Sequence, residues 1–225
     1  TASMDTNWHG NSEITVIISD GLLTDTTTFN LLVEPVNDAP EIAALNDTSM
    51  LENTVYQILP QITDVDTGTV FTLSSSSSLS EITLEIDQTE LMIFVTPDND
   101  WHGASNILIV ASDGELSDST EFILTVDPVN DYPQITDIEN QTINEDEQGT
   151  FFFEVSDIDT GQTLVLDAYS DTSSVFVDTD SDNFSVTASM DTNWHGNSEI
   201  TVIISDGLLT DTTTFNLLVE PVNDA

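Results

Sequence analysis

Pro35-Val36-Asn37-Asp38-Ala39-Pro40 is the stretch whose reading decides the fold, because it returns as Pro128-Val129-Asn130-Asp131-Tyr132-Pro133 and again as Pro221-Val222-Asn223-Asp224-Ala225. Each copy begins 93 residues after the one before. A fixed period of that length marks a tandem array with one compact unit between successive joints. The prolines fix φ and withhold a backbone donor, so neither a helix nor a central strand runs through the joint. What remains is a stiff, extended connector that carries one amide and one carboxylate side chain.

Working outward from the joints, residues 40–132 align with 133–225 without a gap, and 1–39 align with the last 39 residues of each. Residues 1–39 and 187–225 are identical throughout, whereas 94–132 and 187–225 agree at 19 of 39 positions. Two repeat types therefore alternate with a period of 186 residues. Three segments follow: 1–39, the C-terminal half of a repeat, then repeats 40–132 and 133–225. The half-repeat reads as a window on a longer array, and completion by strands of a neighbouring molecule is the alternative.

Between joints the period of the apolar residues is two. Ile200, Val202 and Ile204 line one side of a predicted strand, as do Phe215, Leu217 and Val219. The preceding repeat has Ile107, Ile109 and Ala111, then Phe122, Leu124 and Val126. Such alternation, bounded by Asp-Gly, Asn-Asp and Pro, is the strand signature. Further strands are predicted at 55–59, 71–74, 82–86 and 91–96, and at 148–152, 164–167, 175–179 and 184–189. With one strand after each joint this gives about seven per repeat, the number expected of a Greek-key sandwich. The fold class is all-β, with tandem Greek-key β-sandwich repeats of 93 residues. The serine run at 74–78 reads as a surface connection, like its equivalent at 167–171.

The chain holds 42 acidic residues and no Lys or Arg, a formal charge of −42. Uncompensated charge on that scale opposes compaction, so metal cations or salt must screen it. Nucleic acid and anionic membrane surfaces are disfavoured partners, since both are bound through basic side chains. Without Cys there are no disulfides or thiolate metal sites, and without Lys there are no isopeptide staples and no P-loop. No apolar run is long enough to span a membrane, and no signal peptide is visible at Thr1.

Carboxylates recur at fixed places in each repeat. Glu52 is matched by Glu145, Asp64-Val-Asp66-Thr-Gly by Asp157-Ile-Asp159-Thr-Gly, and Ser-Asp113-Gly by Ser-Asp206-Gly. Asp98-Asn-Asp100-Trp-His-Gly is matched by Asp191-Thr-Asn193-Trp-His-Gly. Alternating carboxylates in D-x-D place two oxygens within reach of one ion when the backbone turns between them. Six to eight oxygens at about 2.3–2.6 Å suit Ca²⁺ better than Mg²⁺. A twelve-residue EF-hand loop is excluded, because loops begun at Asp64 or Asp157 end on Ser75 and Ala168 where a Glu is needed.

This ordered set resembles the cadherin family, and more closely the cadherin-like repeats of large bacterial surface adhesins. Asp127-Pro-Val-Asn130-Asp131-Tyr-Pro is similar to the cadherin linker, and Asp157-Ile-Asp159 to the D-x-D of the following domain. The resemblance implies a joint held by Glu52, Asp98 or Asp100, Asp127, Asn130, Asp131, Asp157, Asp159 and Asp206. It implies an earlier joint held by Asp5, Glu34, Asn37, Asp38, Asp64, Asp66 and Asp113. The chain departs from the family pattern in having D-x-[DN]-Trp-His-Gly instead of Asp-Arg-Glu, and in lacking the Asn-containing loop after D-x-D.

Trp101-His102-Gly103 and its two copies invite a zinc or catalytic reading. One His per repeat supplies neither a multi-His site nor a triad, so the Trp is expected to plug the core and the His to have no ligand role. The expected protein is an extracellular, calcium-stiffened spacer of a cell-surface adhesin or filament, and not an enzyme. Its expected partners are Ca²⁺ and neighbouring repeats. The alternatives are a biofilm-type matrix filament joined by strand exchange, and a carbohydrate- or receptor-binding module.

Overall fold

The computed structural model describes residues 3–223. The third copy of the joint runs into Asp224 and Ala225, which lie outside the described residues. Two compact units divide the chain, Thr1–Pro128 and Val129–Ala225, and the boundary falls inside the second joint. The described residues are strands, turns and connections, with no helix among them.

The first unit opens with a hairpin, β1 (Gly10–Ser19) and β2 (Thr24–Val33). The repeat follows as β3 (Glu41–Ile42), β4 (Thr48–Leu51), β5 (Tyr56–Ile58), β6 (Ile62–Thr63), β7 (Thr72–Ser77), β8 (Ile82–Asp87), β9 (Met92–Pro97), β10 (Gly103–Ser112) and β11 (Ser117–Asp127). One sheet has the order β4-β11-β10-β7, a second β5-β9-β8, and β3 pairs with β6. β4 runs parallel to β11 while every other pairing in the repeat is antiparallel. The first strand thus crosses over to lie beside the last, as a Greek-key sandwich requires.

The second unit repeats this arrangement with β12 (Gln134–Ile135), β13 (Gln141–Asn144), β14 (Gly149–Phe152), β15 (Val155–Ser156), β16 (Val165–Ser170), β17 (Val175–Asp180), β18 (Ser185–Met190), β19 (Gly196–Ser205) and β20 (Thr210–Glu220). Its sheets are β13-β20-β19-β16, β14-β18-β17 and β12-β15. Each repeat therefore has nine described strands and not about seven, because the first strand is broken in two and a two-residue ladder closes against it.

Alternation decides what is inside. Ile107, Ile109, Leu124 and Val126 of one sheet and Ile93 and Val95 of the other form one buried cluster. Ile200, Val202, Ile204, Leu217 and Val219 do the same in the second unit, with Val186 facing them. Each such side chain stabilises the fold by roughly 1.5–3 kcal/mol through loss of apolar contact with water. The serine run is corrected here. β7 includes Ser74 to Ser77, paired to β10 from Ser112 back to Ile107. Ser75 and Ser77 continue the inward face begun by Leu73, and Ser77 Oγ lies 2.7 Å from the buried Ser105 Oγ. A hydroxyl partner across the ladder lets a polar side chain sit half-buried. The equivalent stretch is β16, where Ser170 Oγ lies 2.7 Å from Ser198 Oγ.

Candidate metal centre

The first joint lies wholly within the first unit. Its prolines keep the backbone extended, and its two polar residues reach into loops of the repeat that follows. Asn37 Nδ2 donates to Asp113 Oδ2 at 2.8 Å, and the Asp38 amide donates to Asp66 Oδ2 at 2.8 Å. The Asp66 amide donates to Asp64 Oδ1 at 2.9 Å, which is the turn expected of D-x-D. Asp5, Glu34, Asp38 and Asp66 line one cleft of about 270 Å³ beside Trp8 and His9. The residues assigned to this joint from sequence are thus linked by these bonds and this cleft.

The second unit repeats the pattern with little change in distance. Asn130 Nδ2 donates to Asp206 Oδ2 at 2.8 Å, Asp131 N to Asp159 Oδ2 at 2.7 Å, and Asp159 N to Asp157 Oδ1 at 2.9 Å. One difference separates the two. Gln162 Nε2 donates to Asn130 Oδ1 at 2.7 Å, whereas the equivalent Thr69 turns its hydroxyl to Asp66 O. Sequence reasoning passed over Gln162, which is adjacent to Gly161 and carries no charge.

The serine-aspartate-glycine turn fixes the charge of its carboxylate. Asp113 Oδ1 accepts from the Glu115 and Leu116 amides at 2.7 Å each, and Asp206 Oδ1 from Leu208 at 2.6 Å and Leu209 at 2.7 Å. The Leu116 amide, with the Asn37 side chain and Glu115 behind it, holds Asp113 below the usual carboxylate range. The Leu209 amide does the same for Asp206, helped by Asn130 and Leu208. Hydrogen bonds to the ionised form stabilise it.

A second acidic group lies where each repeat ends. The Glu52 amide donates to Asp127 O at 3.0 Å, and its side chain is 2% exposed with Oε2 3.6 Å from His102 Nδ1. Glu145 is built alike, 3.5 Å from His195, and its Oε1 accepts from the Val222 amide at 2.6 Å. The nearness of His to this glutamate was not foreseen, since 50 residues separate them. Beside Glu52, Asn53 Nδ2 donates to Asp100 Oδ1 at 2.8 Å, and Asn53 Oδ1 accepts from the Asp100 amide at 3.0 Å. In the second unit the two residue types change places, and Asn193 N donates to Asp146 Oδ1 at 3.0 Å. Asp98 instead borders a shallow groove with Thr83 and Glu85.

Trp101 packs against the core as expected of it, and is partly buried there. It lies across Gly103, where an added Cβ would come within 2.9 Å of Trp101 Cζ2 at a φ of +153°. A side chain there would meet both the indole and a backbone region that favours glycine.

Calcium fits this donor set on two observations. All the donors are oxygens, and no Lys or Arg neutralises them. Asp64 Oδ2 and its equivalent Asp157 Oδ2 are also buried without any hydrogen-bond partner. A buried carboxylate oxygen without a donor is costly unless a cation faces it. Among the described residues, no three His, Asp or Glu side chains are already gathered closely enough to hold an ion. Like charges without a cation between them repel, and Asp64, Asp66 and Asp113 each accept a backbone amide instead.

Residues 37–125 match the family model of the bacterial Ig domain. A protocadherin gammaB7 structure comprising EC3-6 is 20% identical over 97% of this chain and 59% of its own, with a TM-score of 0.55. Mouse protocadherin-24 EC1-3 is 14% identical over 98% of this chain and 82% of its own, with a TM-score of 0.53. The likeness is one of fold, a cadherin-like, Ig-like β-sandwich repeat. An endo-fucoidan hydrolase of glycoside hydrolase family 107 aligns at 17% identity over 96% of this chain, with a TM-score of 0.37. The chain spans about a third of that enzyme's length, 34%. No curated protein matches the sequence. Among the cadherin-like features, the linker bonds to the D-x-D loop and to the Ser-Asp-Gly turn recur in both units.

Proposed function

We propose that the chain is a calcium-stiffened extracellular spacer, a stalk segment of a cell-surface adhesin or filament, with no chemical step to catalyse. The observation that carries the reading is the partnerless buried oxygen on Asp64 and on Asp157, each in a loop already bonded to a joint. Bound calcium would supply the positive charge that the sequence lacks. Asn37, Asp38, Asp64, Asp66 and Asp113 hold the first joint, with Asp5 and Glu34 from the preceding half-repeat. Asn130, Asp131, Asp157, Asp159 and Asp206 take the same roles at the second, and Glu52, Asp98 or Asp100, and Asp127 complete that set. On this reading the linker residues contribute to each set, so calcium binding restrains the joint.

Small-angle scattering of the full chain in calcium and in EGTA tests this. The wild type should lengthen on adding calcium. The Asp157→Ala, Asp159→Ala double variant should remain folded and lengthen less, since both positions lie in a turn outside the core. A wild type equally extended in EGTA would show that the prolines and domain contact alone set the stiffness.

A further inference from the structure

Gln162 stands where the preceding repeat has Thr69, although both follow the same Asp-x-Asp-Thr-Gly turn. Its side-chain orientation is fixed by bonds that cannot be reversed. Asp206 Oδ1 is occupied by the Leu208 and Leu209 amides, and an ionised carboxylate only accepts. The group 2.8 Å from Asp206 Oδ2 is therefore the NH₂ of Asn130, which also donates to Asp131 O at 2.9 Å. Both hydrogens of that amide are then used, and Asn130 has only its oxygen to offer elsewhere. The Gln162 atom 2.7 Å from Asn130 Oδ1 must in turn be the donor, Nε2. What remains on Gln162 is the acceptor Oε1. That oxygen is buried and receives no hydrogen bond among the described residues.

Two acceptors of one loop share this condition. Asp157 Oδ2, five positions earlier, is also buried without a donor. The two residues belong to one network: Gln162 donates to Asn130, the Asp131 amide to Asp159 Oδ2, and the Asp159 amide to Asp157 Oδ1. None of those bonds reaches either orphaned oxygen, and a cation would satisfy both. At the first joint the Thr69 hydroxyl instead gives its hydrogen to Asp66 O at 3.0 Å, within its own loop.

Building on the calcium reading of the joints, we infer that Gln162 Oε1 is a calcium ligand of the second joint, an uncharged oxygen for which the first joint has no equivalent. Ca²⁺ takes about six to eight oxygens and accepts Gln carbonyls among them. Asp131, Asp157, Asp159 and Asp206 already bring negative charge to this network, so a neutral oxygen adds a ligand without adding repulsion. The bond from Nε2 to Asn130 holds the side chain in place before an ion arrives, which lowers the ordering cost of binding. Gln162 thereby makes the second joint tighter than the same joint would be with Thr at this position.

A CaCl₂ titration of the isotopically labelled full chain, followed by NMR, tests this. Amide resonances of 64–69 report filling of the first joint, and those of 157–162 filling of the second. In the wild type the Gln162 side-chain carbonyl ¹³C resonance should move in step with the 157–162 amides. Gln162→Thr installs the residue of the other repeat type. It should raise the calcium midpoint of 157–162 by about tenfold or more, the usual cost of losing a group at a metal site, and leave that of 64–69 unchanged. A carbonyl resonance that stays still while the 157–162 amides move would make Gln162 a support for Asn130 and overturn its role as a ligand. An unchanged midpoint in the variant overturns it too, as does an equal shift at both joints, the mark of a general loss of stability. In each of those cases calcium still binds and the spacer reading stands. A wild type whose amides respond to calcium at neither joint removes both.

Discussion

Asp157→Asn separates a metal ligand from an ordinary structural carboxylate. Asp157 Oδ1 accepts the Asp159 amide at 2.9 Å, and the amide oxygen of Asn can keep that bond. Its Oδ2 is buried without a partner, and the substitution replaces that oxygen with an NH₂ group and removes the charge. Without calcium the change should be neutral or slightly stabilising, since it removes a charge near Asp159 and Asp131 in a chain that has no basic residues. With calcium the sign should reverse. A ligand that binds only the folded state adds about 2.7 kcal/mol at a hundred times its Kd, and each tenfold loss of affinity removes up to about 1.4 kcal/mol of that. A ten- to hundredfold weaker site therefore lowers stability by about 1.3–2.3 kcal/mol, or roughly 5–18 °C in Tm for a domain of this size. Thermal melts of wild type and variant, in calcium and in excess EGTA at constant ionic strength, read both signs. Equal melting temperatures in calcium, or an equal drop in both buffers, would refute the reasoning.

The lowered carboxylates set an acid limb. Asp113 and Asp206 titrate below their unfolded values, so they add stability above the ordinary aspartate pKa and lose it as pH falls through their depressed folded values. Urea midpoints measured downward from pH 5 should fall for the wild type and fall less for Asp206→Asn, and parallel curves would contradict this. Trp101→Ala should cost about 2–3 kcal/mol, less than full burial would give, because the indole covers only the core edge. Gly103→Ala should cost about 1–3 kcal/mol through its 2.9 Å clash with that indole, read from the same urea curves. His102→Gln should leave calcium stoichiometry unchanged in a calorimetric titration, and a lost equivalent would make His102 part of the site.

The long strands were legible because inward residues at every second position need no distant information. Ile107, Ile109 and Ala111 are each buried as that period requires. The serine run was not legible, since a half-buried hydroxyl becomes tolerable only when another, such as Ser105, stands opposite. The joint residues could be named from repetition and spacing, but the same reasoning assigned Asp98 and Asp100 interchangeably. The structure separates them, placing Asp100 against Asn53 and Asp98 in a groove with Glu85.

The sequence by itself determined the 93-residue period, the β class, the rigid acidic joints and the lack of any basic counter-charge. These follow from local chemistry, in which proline fixes φ and alternation selects a sheet face. Only the tertiary structure decided which carboxylate oxygens lack a donor and that His102 stands near Glu52. The physical reason is that burial and partnership depend on residues brought close by folding. Glu52 and His102 stand 50 residues apart in sequence, and no local pattern contains their nearness.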